Sequence, residues 1–302
     1  MSRLCAFRIA RIRAGAASAI AVLTLASASV SAAQGAPPPS RFVPQLDLKC
    51  YKVESSVPSL DLKLRLSHLN PVFQSAGLPS DIVVVRRLEQ LCVPVAKDNL
   101  IPDPEVLRFI QFVDLACYGI ETSGTPPNLQ VRLSHLNPLL QKLGAPDELV
   151  FITTPKQLCL PVAKNNAELP PDVLRLVQLL DLQCYDFATH VQPLNIHLRL
   201  SHLNRVLVGL GMQDERVRVT IPQQLCVPVA KNDLFPPHDL FNLVKYTDLK
   251  KYAIEAAPLP APVTLVLRHL NPLLQNRVEK VALIAPTHLM LPVAKDGKLP
   301  EP

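Results

Sequence analysis

One feature governs every other reading of this chain: it repeats itself at a fixed interval of 67 residues. Leu-Asp-Leu-Lys-Cys-Tyr at 46–51 returns as Val-Asp-Leu-Ala-Cys-Tyr at 113–118, Leu-Asp-Leu-Gln-Cys-Tyr at 180–185 and Thr-Asp-Leu-Lys-Lys-Tyr at 247–252. Ser-His-Leu-Asn at 67, 134 and 201 becomes Arg-His-Leu-Asn at 268, and Leu-Cys-Xaa-Pro-Val-Ala-Lys at 91, 158 and 225 becomes Leu-Met-Leu-Pro-Val-Ala-Lys at 289. A regular period of this length marks repeated supersecondary units that share one core. Four units follow, at 46–112, 113–179, 180–246 and 247–302, the last three residues shorter before its final motif and cut off soon after Lys295.

Cys5 lies in the N-terminal leader segment, and the other six cysteines divide evenly. Cys50 and Cys92, Cys117 and Cys159, and Cys184 and Cys226 sit two to a unit at the same spacing, while the fourth unit has Lys251 and Met290 in their places. Joint loss of both members is what a bond between them predicts, because a lone survivor would be a free thiol. Of the fifteen pairings that six cysteines allow, the expected one lies within each unit. Pairing between neighbouring units and buried free thiols are the alternatives. Each bridge closes a loop worth about 4 kcal/mol of chain entropy, a staple that units this small need.

Such bridges require an oxidising compartment, and the N-terminus supplies a route to one. Arg3, Arg8, Arg11 and Arg13 precede an apolar stretch over 14–30 and the small residues Val30, Ser31 and Ala32. This reads as a signal peptide over 1–32, cut after Ala32 or Ala33; an uncleaved anchor is the alternative, but the stretch is short, alanine-rich and interrupted by serine. Secreted or periplasmic localisation follows, with no membrane span in the mature chain. The proline-rich segment 33–45 reads as a flexible tether. Without the four leader arginines the 31 Lys and Arg fall to 27 against 25 Asp and Glu, too balanced for a nucleic-acid binder.

Within a unit, Leu60, Leu62, Leu64 and Leu66 alternate with Asp61, Lys63, Arg65 and Ser67, the period of a half-buried strand. A second strand is expected at 82–86, 149–153 and 217–221, and further strands at the two cysteine motifs, the Leu-Cys-Xaa-Pro-Val one on a sheet edge because proline cannot donate to a ladder. Asn70-Pro71, Asn137-Pro138 and Asn271-Pro272 predict helix starts, and Gly77, Gly144 and Gly211 predict left-handed helix ends. Periodicity does not decide between helix and strand for 98–112, 165–179 and 232–246. The fold class is mainly β with short helices, in four β-rich repeats, three with an internal disulfide. A string, a stacked array and a closed ring all satisfy the pattern.

His68, His135, His202 and His269 recur in the apolar phase of their strands. A structural role at the strand-to-helix junction, beside the following Asn, is expected; a metal or ligand role is the alternative. His190, His197, His238 and His288 do not recur and read as surface residues. Adjacent Ser67 and His68 point to opposite faces, so they form no nucleophile–base dyad, and no nucleophile elbow, zincin or phosphate-loop motif is present. No catalytic residue, metal or cofactor is assigned. Tyr51, Tyr118, Tyr185 and Tyr252 are expected to pack beside the disulfides or between units. Asp47, Asp114, Asp181 and Asp248 recur with Lys97, Lys164, Lys231 and Lys295, either as ion pairs across strands or as separate solvated charges.

The combination of Leu-Lys-Cys-Tyr-Lys at 48–52 with Leu-Cys-Val-Pro-Val-Ala-Lys at 91–97 resembles the repeats of an uncharacterised family of exported bacterial proteins, a domain of unknown function. The likeness covers nearly all of 46–295 and implies no catalytic residues. The expected function is a non-enzymatic structural or interaction role in the cell envelope or extracellular space, with an unidentified protein or envelope partner; a small-ligand or metal-binding module built on the recurring histidines is the alternative. The fourth unit, lacking its bridge, is expected to dock on the third, with Leu289, Met290 and Leu291 as the apolar contact.

Overall fold

The computed structural model describes residues 35–274 and 277–302, so the leader lies outside the described residues. The chain enters through a short helix α1 (Pro39–Phe42) and a 3-10 turn (Val43–Gln45). The first unit then runs β1 (Leu48–Ser55), β2 (Leu62–His68), α2 (Pro71–Ser75), β3 (Asp81–Lys97) and α3 (Pro104–Ile110). The same order returns as β4 (Leu115–Thr122), β5 (Leu129–His135), α4 (Pro138–Lys142), β6 (Glu148–Lys164) and α5 (Pro171–Val177). It returns again as β7 (Leu182–Thr189), β8 (Ile196–His202), α6 (Arg205–Gly209), β9 (Glu215–Lys231) and α7 (His238–Val244). The last unit contributes β10 (Leu249–Ala256), β11 (Val263–His269) and β12 (Val278–Lys295).

Antiparallel pairing runs from β1 to β3, β4, β6, β7, β9, β10 and β12, and β12 pairs back onto β1 from Leu48↔Met290 to Ser55↔Val281. A sheet whose last strand pairs with its first is a barrel, which has no free edge. The four units therefore form a closed ring, and the fourth contacts the first as well as the third. Strands β2, β5, β8 and β11 form an outer layer, each paired to the long strand of its own unit and to the C-terminal end of the long strand two units away: β2 on β9, β8 on β3, β5 on β12 and β11 on β6. Diametrically opposed units are thus stitched directly to one another.

Two strands expected separately are one. Residues 81–97 form a continuous strand of 17 residues, and the Leu-Cys-Xaa-Pro-Val motif lies in its middle, not on an edge. The proline fits because β3 pairs with β4 as far as Cys92↔Leu115 and with β8 only from Val95↔His202 onward. Pro94 falls where one neighbour ends and the next begins, so no ladder bond is lost. Residues 91–97 are buried on both faces, by the barrel interior on one side and the outer strands on the other, which is why this stretch shows no alternation.

The undecided segments 98–112, 165–179 and 232–246 each hold a helix. With α1 these helices close one end of the barrel, and Phe42, Val43, Phe109, Ile110, Leu176, Val177 and Val244 join the six bridged cysteines in one core. Residues 35–45 are therefore not a flexible tether. Phe42 and Val43 are fully buried, and α1, ahead of the first unit, stands between α7 and α3, where the fourth unit has no helix among the described residues after β12 to match α3, α5 and α7; burial of two large apolar side chains outweighs the chain entropy that a tether would retain. Arg41 Nη1 bonds Glu105 at 2.7 Å, Arg108 bonds Asp172 at 2.5 Å and Arg175 bonds Asp239 at 2.6 Å, helix to helix. Asn242 donates to Glu301 at 3.2 Å, and the Glu301 carbonyl accepts from the Ser40 N–H of α1 at 3.0 Å, which completes the circuit.

Local chemistry at the short helices follows the sequence. Asn70, Asn137 and Asn204 each accept from the backbone N–H two residues on, and Gly77, Gly144 and Gly211 end these helices at φ of 66°, 74° and 78°. In the fourth unit Asn271 caps a turn at Leu273 without a helix among the described residues.

Candidate functional site

The recurring histidines do not meet. Each binds a tyrosine hydroxyl of the opposite unit through Nε2: His202 with Tyr51, His269 with Tyr118 and His135 with Tyr252, all at 2.9 Å, and His68 with Tyr185 at 3.3 Å. Burial, reinforced by nearby lysines, holds the imidazole of His68 down to about 4 and those of His135 and His202 to about 3, so they stay neutral at ordinary pH. Tyr118 donates to Glu279 Oε1 at 2.7 Å, which leaves His269 Nε2 as the donor to Tyr118. The expected partner, the following Asn, is not the one found: each histidine's strand pairs with the C-terminal end of the opposite unit's long strand, and that pairing brings the imidazole to the opposite unit's tyrosine.

The recurring acids and lysines form buried ion pairs, Asp47 with Lys97, Asp114 with Lys164, Asp181 with Lys231 and Asp248 with Lys295. Burial drives the two partners in opposite directions, Asp248 up to about 6 and Lys295 down. The cap asparagines tie these pairs to the next unit, Asn70 to Asp248 at 2.6 Å, Asn204 to Asp114 at 3.1 Å and Asn137 to Asp47 at 3.4 Å. A second set joins opposite units: Lys49 with Glu215, Lys250 with Glu148, and Gln183 to Asp81 at 3.1 Å.

After each long strand the chain turns through two consecutive left-handed residues: Asp98 and Asn99, Asn165 and Asn166, Asn232 and Asp233, Asp296 and Gly297. The first side chain of each turn accepts a backbone N–H from the opposite unit, Asp98 from Arg199, Asn165 from Val266, Asn232 from Arg65 and Asp296 from Arg132, at 2.8–2.9 Å. Paired Asn, Asp and Gly residues are what such a turn requires, and the sequence carries that signal at all four positions.

The disulfides Cys50–Cys92, Cys117–Cys159 and Cys184–Cys226 join directly facing residues of adjacent strands inside the barrel. Lys251 and Met290 face each other in the same register in the fourth unit, both buried. Lys251 reaches across the interior, and its Nζ donates to Gln90 Oε1 and, at 2.7 Å, to Gln157 Oε1. Gln157 Nε2 donates to Glu89 Oε2 at 2.5 Å, and Gln90 Nε2 donates to His288 Nδ1 at 2.8 Å. That fixes the proton of His288 on Nε2, which donates to Gln223 Oε1 at 2.8 Å. His288 is thus part of the barrel interior and not the surface residue expected; it stands where the other units place Gln90, Gln157 and Gln224.

Seven lysines are buried, and six of them touch a carboxylate. Among the described residues Lys251 is the one held by amide oxygens alone, and burial brings its ammonium down to about 7. Gly119 serves the same network: a Cβ there would lie 2.7 Å from Glu89 Oε1, so glycine lets the Glu89 side chain cross to Gln157. Above this polar layer the barrel opens into a cavity of about 730 Å³ whose floor includes Gln90 and Gln157. Val53, Val57, Pro58 and Leu88 form its apolar wall, with Lys52, Arg87 and Glu54 also lining it.

No group of three His, Cys, Asp or Glu among the described residues is placed to hold a metal ion, and no helix among them is long and apolar enough to cross a membrane. No family model, curated protein or solved structure matches the chain.

Proposed function

We propose that this chain is an exported, non-enzymatic scaffold that presents a rigid surface to a partner in the envelope or extracellular space. One observation carries the reading: the polar residues that recur in every unit are spent on holding the ring closed, the histidines on tyrosines of the opposite unit and the aspartates on lysines of their own. Side chains repeated for a ligand would converge on a cleft; these are bound to one another, and the cap asparagines tie the aspartates to the next unit. Three disulfides agree with life in an oxidising compartment.

The test is His135→Gln and His202→Gln in the oxidised protein, read by thermal melting and by native mass spectrometry with Zn²⁺. The scaffold reading expects a lowered melting temperature and no stoichiometric zinc in either the parent or the variants. Saturable zinc uptake that disappears with the substitutions would overturn it in favour of a metal-binding module.

A further inference from the structure

A buried cation without a touching counter-charge is costly, and Lys251 is placed to have that cost relieved from outside. Its two partners, Gln90 and Gln157, are the same residues that floor the cavity of about 730 Å³, a volume in the range of small-molecule sites. An entering acceptor that displaces one of these amide oxygens would exchange a neutral partner for a charged one. Glu89 and Asp186 also act on Lys251 through space, and Lys52 and Arg87 on the cavity lining add two further positive charges. One wall beyond the floor is apolar, with Val53 and Leu88 nearly buried beside Val57 and Pro58, and Lys52, Arg87 and Glu54 make up the rest of the lining.

We propose that the barrel mouth binds a monocarboxylate with a short aliphatic tail, its carboxylate on Lys251 and its tail along Val53, Val57, Pro58 and Leu88. The lysine stands where the other units have a cystine half, so the fourth unit carries a site that the other three do not. This proposal stands apart from the scaffold reading, which rests on the bonds among the recurring polar residues and survives its failure.

Octanoate, octan-1-ol and octylamine titrated calorimetrically into the oxidised protein at mildly acidic pH provide the test. Octanoate is expected to bind one per chain, octanol and octylamine far more weakly, and Lys251→Met to weaken octanoate by about tenfold or more, the worth of one charge-assisted hydrogen bond. Should Lys251→Met fail to fold, Val57→Trp, which fills the cavity from a half-exposed position, is expected to abolish octanoate binding at unchanged melting temperature. No octanoate binding, equal binding of octanol, or binding indifferent to both substitutions would overturn the proposal.

Discussion

Replacing Lys251 and Met290 by cysteine should complete the set of bridges. The two residues are register partners on β10 and β12, as Cys50 and Cys92 are on β1 and β3, so the backbone already holds them as it holds the three natural pairs. The new bridge would close a loop of about 40 residues, worth roughly 4 kcal/mol by loop entropy. Losing the buried Met290 side chain costs about 2 kcal/mol. Orphaning Gln90 and Gln157 costs about 1–3 kcal/mol, which removal of the buried ammonium offsets in part. The side-chain costs are shared by Lys251→Ser with Met290→Ser, so the two double variants differ mainly by the bridge. The cysteine variant should melt about 8–16 °C above the serine variant, with no alkylatable thiol among residues 35–302 in its mass spectrum. Free thiols under conditions that close the other three bridges, or equal melting of the two variants, would refute the equivalence of the four seams.

Lys251 also sets a pH dependence. Its folded-state value of about 7 lies below the usual 10.5, so between those limits the unfolded chain binds more protons and stability rises with pH, by up to about 1.4 kcal/mol per unit. Urea midpoints over that window should climb less steeply in Lys251→Met, and parallel slopes would contradict the assignment. Phe42→Ala, at a fully buried position in the helical cap, should cost about 3–5 kcal/mol in a denaturant melt, whereas a neutral result would return α1 to the status of a tether. Tyr252→Phe and His135→Phe should each cost about 1–3 kcal/mol and show a clear coupling energy in a double-mutant cycle, because both members of a 2.9 Å bond are removed; additive effects would show that the contact is not energetically real.

What the sequence disclosed was local or self-comparative. The facing cysteines, the Leu62 to Leu66 alternation and the Asn70 cap with its Gly77 stop depend on neighbours in the chain or on comparison of one unit with the next, and each is found in the structure. What it withheld depends on pairing across the ring. His68 reads as an isolated polar residue on an apolar face until Tyr185, 117 residues away, is placed beside it. Pro94 reads as an edge marker because the handover from β4 to β8 at that residue has no local signature. Lys251 reads as a lost cysteine, and only closure of the barrel brings Gln90 and Gln157 to it.

The pairing of β1 with β12 dictates an order of events. Every other junction in the barrel joins strands of the same or consecutive units, while this one waits for the final strand to be made and delivered. Until then the β1 edge, including the buried Leu48, Cys50 and Tyr51, stays open as a template for any passing strand. A second copy at the same stage offers an equivalent β12, so a pair of chains could exchange last strands and close two rings together. Closure within one chain competes with that exchange by speed, and concentration during refolding decides the outcome.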